Sequence, residues 1–250
     1  MTDIAIDKRS KDSLYIVMPA YNEEKNIEEV VRSWYPILAD KGDNSRLVIA
    51  DHGSKDGTHD ILKMLVDNGF PKLEILETTN QYHGPKVIAL YKHAIANKCD
   101  YVFQTDSDGQ TDPSEFDDFW KIREQYTGVF GNRTVRGDGK DRAFVEKVVC
   151  KLLKIYFGVN IPDANAPFRL MRTDVLKKYI DKLDDDYNLP NIMISTFFCY
   201  YKEDYCFKEI SFRPRSNGVN SINMKKIIKI GIKALGEFGR FRKDMKSETV

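Results

Sequence analysis

The sequence predicts an α/β domain built on a mostly parallel sheet, and three observations carry that prediction. Short apolar runs recur through the first half of the chain, at residues 14–18, 47–50, 73–76 and 101–103. Between them lie segments whose apolar residues fall at helical spacing. Conspicuous polar turns follow the second and fourth runs, at Asp51 and Asp106. Strand, turn and helix in regular alternation is the pattern of parallel strands joined by crossover helices. Such sheets bind ligands beyond the carboxyl ends of their strands, so the two polar turns are expected to form one site.

Residues 1–13 are polar and charged and read as a lead-in. Leu14-Tyr15-Ile16-Val17-Met18 is the first strand, broken by Pro19-Ala20-Tyr21-Asn22-Glu23-Glu24. Asn22 is the expected N-cap of a helix whose inner face is Ile27, Val30, Val31 and Trp34. The second strand, Leu47-Val48-Ile49-Ala50, runs into Asp51-His52-Gly53-Ser54-Lys55-Asp56-Gly57-Thr58. Ile61, Leu62, Met64 and Leu65 begin the next helix, and residues 73–76 are the third strand. A loop containing His83 and Gly84 precedes a helix marked by Val87, Leu90, Tyr91 and Ala94. Tyr101-Val102-Phe103 then leads to Asp106.

The second half is less regular. A short strand at 127–131 is expected to end before Arg133, and residues 143–157 form an apolar-rich helix. Asp163 opens a turn into a strand ending near Leu170. Residues 191–202 read as a buried helix, with a strand as the alternative because β-branched and aromatic residues abound. Residues 206–212 alternate and read as a strand. Trp34 and Trp120 fall at apolar helix positions and are assigned to the core. No linker divides the halves, so one domain over 14–221 is expected, followed by a basic helix and tail over 222–250.

Composition narrows the function. The 250 residues are 42% hydrophobic and 31% charged, enough for a sizeable core. A net charge of +1 gives no general attraction to polyanions, and no recognition motif is present, so nucleic-acid binding is not expected. Cys99, Cys150, Cys199 and Cys206 are scattered without CxxC spacing and read as reduced thiols of a cytoplasmic protein. The charged N-terminus does not resemble a signal peptide. No stretch approaches the ~20 apolar residues of a membrane span. The longest apolar-rich run, 192–201, contains Ser195 and Thr196. A soluble or peripheral protein is expected.

The stretch that carries chemistry is Thr105-Asp106-Ser107-Asp108-Gly109-Gln110. Alternate side chains at a strand end point to the same side, so Asp106 and Asp108 can converge. Hard cations such as Mg2+ or Mn2+ take oxygen ligands and share them with a phosphate substrate. Taken alone, the stretch also reads as a solvated acidic turn.

Six stretches in order then show a family likeness: Met18-Pro19-Ala20-Tyr21-Asn22-Glu23-Glu24-Lys25-Asn26-Ile27, Asp51 to Thr58 as quoted above, Asp106-Ser107-Asp108, Gly131-Asn132-Arg133, Asp163-Ala164-Asn165-Ala166-Pro167-Phe168-Arg169-Leu170, and Phe212-Arg213-Pro214-Arg215-Ser216-Asn217-Gly218. The chain resembles the family 2 glycosyltransferases of the GT-A fold, within them the dolichyl- or polyprenyl-phosphate sugar synthase branch. The resemblance covers residues 14–221. It implies a single Rossmann-like domain with helices flanking a mostly parallel sheet, and a nucleotide-diphosphate-sugar donor. It implies that Asp106 and Asp108 hold Mg2+ or Mn2+ as the DxD motif, with Gln110 as a further contact and Ser107 beside the donor. Pro19, Tyr21, Glu23, Asp51 and His52 would line the nucleotide. Arg133 and Arg215 would face the donor or a phosphate, and Asp163 would be the catalytic acidic residue.

Two departures stand out. The family's usual Asp-Asp-Gly-Ser has His52 as its second residue here, and the basic residue usual six positions after Arg215 is Ser221, with Lys225 and Lys226 nearby. Arg169, between Phe168 and Leu170, reads as a buried structural residue, and His83 as a loop residue. A lipid phosphate acceptor would need no strong base, whereas a hydroxyl acceptor would need one such as Asp163. The branch favours the lipid. The alternatives are transfer to a sugar hydroxyl of a growing glycan, a nucleotidyltransferase, and an inactive nucleotide-binding homologue. A nucleotidyltransferase would carry a glycine-rich basic loop where this chain has Pro19 to Glu24.

Beyond Met224 the apolar residues Ile227, Ile228, Leu235, Phe238 and Phe241 fall at helical spacing, with Lys226, Lys229, Lys233 and Arg240 on another side. This is the pattern of a basic amphipathic helix on an anionic membrane surface, here the cytoplasmic face of the plasma membrane. Packing of the same helix on the core is the alternative. The sequence leaves the oligomeric state open.

Overall fold

The structure is a computed structural model that describes residues 12–78, 80–137, 140–214 and 224–248. Seven strands form one sheet in the order β3-β2-β1-β4-β6-β5-β7. These are β1 (Leu14–Ala20), β2 (Arg46–Asp51), β3 (Leu73–Leu76), β4 (Tyr101–Thr105), β5 (Gly128–Arg136), β6 (Phe168–Arg172) and β7 (Tyr205–Phe212). β1, β2, β3 and β4 run parallel to one another, β5 is parallel to β7, and β6 runs antiparallel to β4 and β5. The mostly parallel α/β sheet expected from the strand-turn-helix rhythm is therefore present.

The helices are α1 (Ile27–Trp34), α2 (Thr58–Asp67), α3 (His83–Ala96), α4 (Phe116–Trp120), α5 (Lys140–Phe157), α6 (Thr173–Ile180), α7 (Pro190–Tyr200) and α8 (Met224–Glu248). They cover both faces of the sheet. Leu14, Ile16 and Met18 pack on one face with Trp34 and Leu62, while Tyr15 and Val17 pack on the other with Val87 and Tyr91. This two-sided burial explains why β1 reads as an uninterrupted apolar run. On the first face Phe103 stands 5.3 Å from Trp34 and 4.7 Å from Phe168, ring centre to ring centre. The four cysteines are free thiols.

Several local expectations need correction. Asn22 is not a helix cap: it adopts a left-handed backbone (φ 56°), and α1 begins only at Ile27, after Asn26. His83 is not a loop residue but the first residue of α3. β5 continues to Arg136, so Arg133 lies within a strand rather than after one. By contrast, the buried helix expected over 191–202 is present as α7, Pro190–Tyr200.

The largest correction concerns α8. Ala234, Phe238, Phe241 and Met245 are buried in the core, not presented to solvent or lipid. Phe238 meets the rings of Tyr156 and Phe157 at 6.0 and 5.8 Å, and Phe241 meets Tyr187 at 5.5 Å. Glu248 accepts hydrogen bonds from Lys182 and Tyr201, each 2.5 Å, and Arg240 pairs with Asp184 at 2.9 Å. An apolar helical stripe suits a protein core and a membrane equally, and here the core takes it. The side chains of Ile227 and Ile228, and the expected boundary near 221–222, lie outside the described residues. Among the described residues no helix is long and apolar enough to cross a membrane.

Candidate active site

The order of the sheet fixes where a site can form. From β1 the chain steps outward to β2 and β3, then returns to place β4 on the other side of β1. The crevice at the ends of β1 and β4 is the switch point at which open α/β sheets bind ligands. The Asp106-Ser107-Asp108 turn leaves β4 there, and Ser107 Oγ donates to the Pro19 carbonyl at the end of β1, 2.8 Å away. Gly109 follows with φ +75°, a left-handed turn that disfavours side chains and lets the chain reverse. Gln110 N–H then donates to Asp108 Oδ1 at 3.1 Å.

Asp106 is partly exposed, its side chain at 25%. Its Oδ1 accepts from Gln104 Nε2 at 3.3 Å and stands 3.2 Å from His83 Nε2. Partial desolvation opposes a charged ring at His83. The hydrogen bond to Asp106 and the negative charges of Asp106 and Asp108 outweigh it, so the His83 pKa lies above its ordinary value. Behind Asp106 runs a buried polar chain. Tyr91 donates its hydroxyl to Asn191 Oδ1 at 3.0 Å, and Asn191 Nδ2 donates to Gln104 Oε1 at 2.9 Å. The chain fixes the Gln104 amide, which holds Asp106 in place.

The ends of β1 and β2 are joined by Lys86, which is 1% exposed. Its ammonium donates to the carbonyls of Ala20 at 2.5 Å and His52 at 2.9 Å, and lies 5.4 Å from the Tyr21 ring centre. Burial lowers its pKa to about 8, against the pull of the Asp51 charge. Sequence reasoning passed over Lys86, although the signal was there: it shares a helical stripe with Leu90 and Ala94.

The loops after β1 and β2 interlock. Asn22 accepts from Lys55 N–H at 2.8 Å, Glu23 N–H donates to Thr58 Oγ1 at 2.8 Å, and Gly57 N–H donates to Glu24 at 2.8 Å. Glu23 is buried and its carboxylate turns inward to Asn26 Nδ2, 2.8 Å away. Asp51 is buried too, accepting from Ser54 Oγ at 2.5 Å, with His59 Nδ1 at 3.3 Å. Glu23 and Asp51 therefore brace the loops that Tyr21 and His52 occupy. Gly53 has φ +78°, and a Cβ there would lie 3.1 Å from Gln81 Cβ.

Arg133 and Asp163 come together as a buried pair. Arg133 Nε and one terminal nitrogen donate to the two Asp163 oxygens at 2.7 and 2.8 Å, and Arg133 N–H adds a third bond at 3.2 Å. Glu146 of α5 stands 3.5 Å from the same guanidinium and accepts from Ala164 N–H at 2.8 Å. Asp163 also accepts from Asn165 N–H at 3.2 Å, so it caps its own turn. Arg169 is buried and structural, as expected. Its partners, however, are the carbonyls of Ala164, Ala166 and Asn191, not an acid. Gln110 Nε2 donates to the Arg213 carbonyl at 2.7 Å, while Arg213 N–H donates to Gln110 O at 2.8 Å. Arg213 also pairs with Asp112. The strand leading toward Arg215 thus ends against the acidic turn, while Arg215 itself lies outside the described residues.

Among the described residues no cluster of three or more His, Cys, Asp or Glu forms a ready cage for a metal. Two carboxylates at an accessible strand end fit a cation that takes its remaining ligands from substrate phosphates and water.

A sheet of this order, with an acidic turn at its switch point, is the GT-A fold. The family model described as glycosyl transferase family 2 matches residues 15–180, and the chain belongs to that family. It is 27% identical over 172 residues to an undecaprenyl-phosphate 4-deoxy-4-formamido-L-arabinose transferase of Shewanella sediminis, covering 68% of this chain and 51% of that protein. It is 30% identical over 167 residues to an uncharacterized glycosyltransferase of Synechocystis, covering 65% and 51%. The chain thus spans about half the length of these two relatives. Its fold matches that of glucosyl-3-phosphoglycerate synthase from Mycobacterium tuberculosis in complex with Mn2+ and uridine-diphosphate-glucose, with TM-score 0.64 at 15% identity, over 90% of this chain and 77% of that one.

Lys86 gives a test that needs no substrate. Its native pKa is lowered, so between pH 8 and about 10.4 the unfolded chain binds the extra proton. Stability relative to Lys86→Met is expected to rise with pH in that window, by about 1.4 kcal/mol per unit, and to be flat below it. Urea melts of both proteins at pH 7.5, 9 and 10 measure it. A difference that stays constant would show that Lys86 stays charged when buried.

Proposed function

We propose that the chain transfers a sugar, with inversion, from a nucleotide-diphosphate-sugar to a polyprenyl-phosphate-type lipid in cell-envelope or surface glycan synthesis, working at the cytoplasmic face of the membrane. The observation that carries the reading is the meeting of Asp106-Ser107-Asp108 with the bound ends of β1 and β2. The family membership and the names of the undecaprenyl-phosphate relatives support it.

Asp106 and Asp108 would hold Mg2+ or Mn2+, with Gln110 contributing through its amide oxygen. The ion would neutralise charge on the diphosphate as it leaves. Pro19, Tyr21, His52 and Ser107 border the space for the nucleotide, and Glu23 and Asp51 keep its loops in register. An acceptor phosphate oxygen attacks the anomeric carbon. The bond to the donor diphosphate breaks, and its electron pair leaves with the nucleoside diphosphate. Arg133, and Arg215 with it, would stabilise phosphate charge. The phosphate acceptor is already ionised near neutral pH, so no base is needed. The two-bond grip of Asp163 on Arg133 supports this choice, because it suits the carboxylate to orienting a guanidinium.

A melting screen with UDP, GDP, CDP and dTDP, each with Mn2+, is expected to single out one base. A ligand at 100 times its Kd adds roughly 2.7 kcal/mol of stability. With the matching sugar nucleotide, release of nucleoside diphosphate is expected to depend on a prenyl phosphate. Release that depends instead on a sugar hydroxyl would replace the acceptor, and release of pyrophosphate would replace the reaction class.

A further inference from the structure

An exposed apolar surface is found on α5. Phe144 is 68% exposed, Ile155 62% and Val148 42%. Among the described residues, no large apolar side chains are more exposed than Phe144 and Ile155. At 100° per residue the three lie within about 40° of one line along the helix, over roughly 16 Å of its length. Lys151 falls on the same line, and Lys147 and Lys154 on one flank; all three are exposed. The opposite side of α5 holds Leu153, Phe157 and Glu146, all buried. The crest is therefore the outward side of a helix anchored by its inward side.

We propose that this crest docks the protein on an anionic lipid surface, with Phe144, Val148 and Ile155 among the acyl chains and Lys147, Lys151 and Lys154 at the headgroups. The inference rests on the lipid-acceptor reading and specifies which surface meets the membrane. Charge decides the occupant. A second copy of the chain paired through the same face would set lysine against lysine, whereas anionic headgroups complement them. The position of α5 supports the same choice. Glu146, on its inner side, touches Arg133 and the Asp163 turn, so a membrane against the outer side lies one helix away from the arginine proposed to face a phosphate.

Co-sedimentation with vesicles of phosphatidylglycerol and phosphatidylcholine tests the assignment. The wild type is expected to bind at low salt and to retain part of its binding at high salt. The Phe144→Gln, Val148→Gln, Ile155→Gln variant is expected to lose about tenfold or more at both salts. The Lys147→Gln, Lys151→Gln, Lys154→Gln variant is expected to lose affinity mainly at low salt. A control with Lys233→Gln, Arg242→Gln and Lys243→Gln on α8 is expected to keep most of the binding. An unchanged melting shift with nucleoside diphosphate shows that each variant is folded.

Wild-type binding by both α5 variants, or no binding by the wild type, overturns the proposal. So does a fall from dimer to monomer on removing the apolar crest, which would give the face to a second copy. Transfer to a short, water-soluble prenyl phosphate without vesicles is measured separately. If it is absent while vesicle binding still depends on α5, the surface assignment stands and the acceptor reading falls.

Discussion

Asp108→Ala and Asp106→Ala are each expected to lower sugar transfer by about a thousandfold or more, close to 4 kcal/mol of leaving-group stabilisation. The two differ in what else they disturb. Asp108 accepts from the Gln110 N–H within its own turn, so its loss loosens that turn. Asp106 also holds Gln104 and His83, so its loss is expected to cost about 1 kcal/mol of stability as well. Turnover with saturating donor and Mn2+, beside a urea melt, separates the two effects. Near wild-type turnover by either variant would remove its carboxylate from the metal site.

Asp163→Ala is expected to have the largest effect on stability, about 3–5 kcal/mol. It strips the buried Arg133 guanidinium of its two-bond carboxylate, with Glu146 left 3.5 Å away. The double variant Asp163→Ala, Arg133→Ala is expected to lose less than the sum of the single losses, because it removes both charges. Asp163→Asn keeps the shape and is expected to slow transfer without altering its pH profile, since a phosphate acceptor has no proton to give up. Disappearance of the low-pH limb in that variant would make Asp163 a general base and the acceptor a hydroxyl.

Much of the architecture was legible because it is written locally. Strands β1, β2 and β4 contain contiguous apolar runs, and the inner face of α1 is read directly from Ile27, Val30, Val31 and Trp34. That Asp51 and Asp106 lie at the carboxyl ends of parallel strands, β2 and β4 on either side of β1, followed from the parallel rhythm. What escaped was long-range. Gln104 meets Asn191 across 87 residues, and Tyr91 meets Asn191 across 100. No periodicity in a sequence carries that information. Lys86 escaped for another reason: lysine is rarely buried, so a lysine on an apolar stripe is readily taken for a surface residue. The pairing of Arg133 with Asp163 escaped because each was considered against a ligand and not against the other. The inward turn of α8 escaped because amphipathic spacing does not say which apolar phase lies opposite.

The bonds that hold the crevice together have a consequence for how it can change. Ser107 grips the carbonyl of Pro19, and Lys86 grips those of Ala20 and His52. None of these contacts reads a side chain at the position it holds. Residue 52 can therefore be exchanged without loosening the framework. A crevice built this way tolerates single substitutions along its rim, because the main chain beneath keeps the same path whatever side chain it bears.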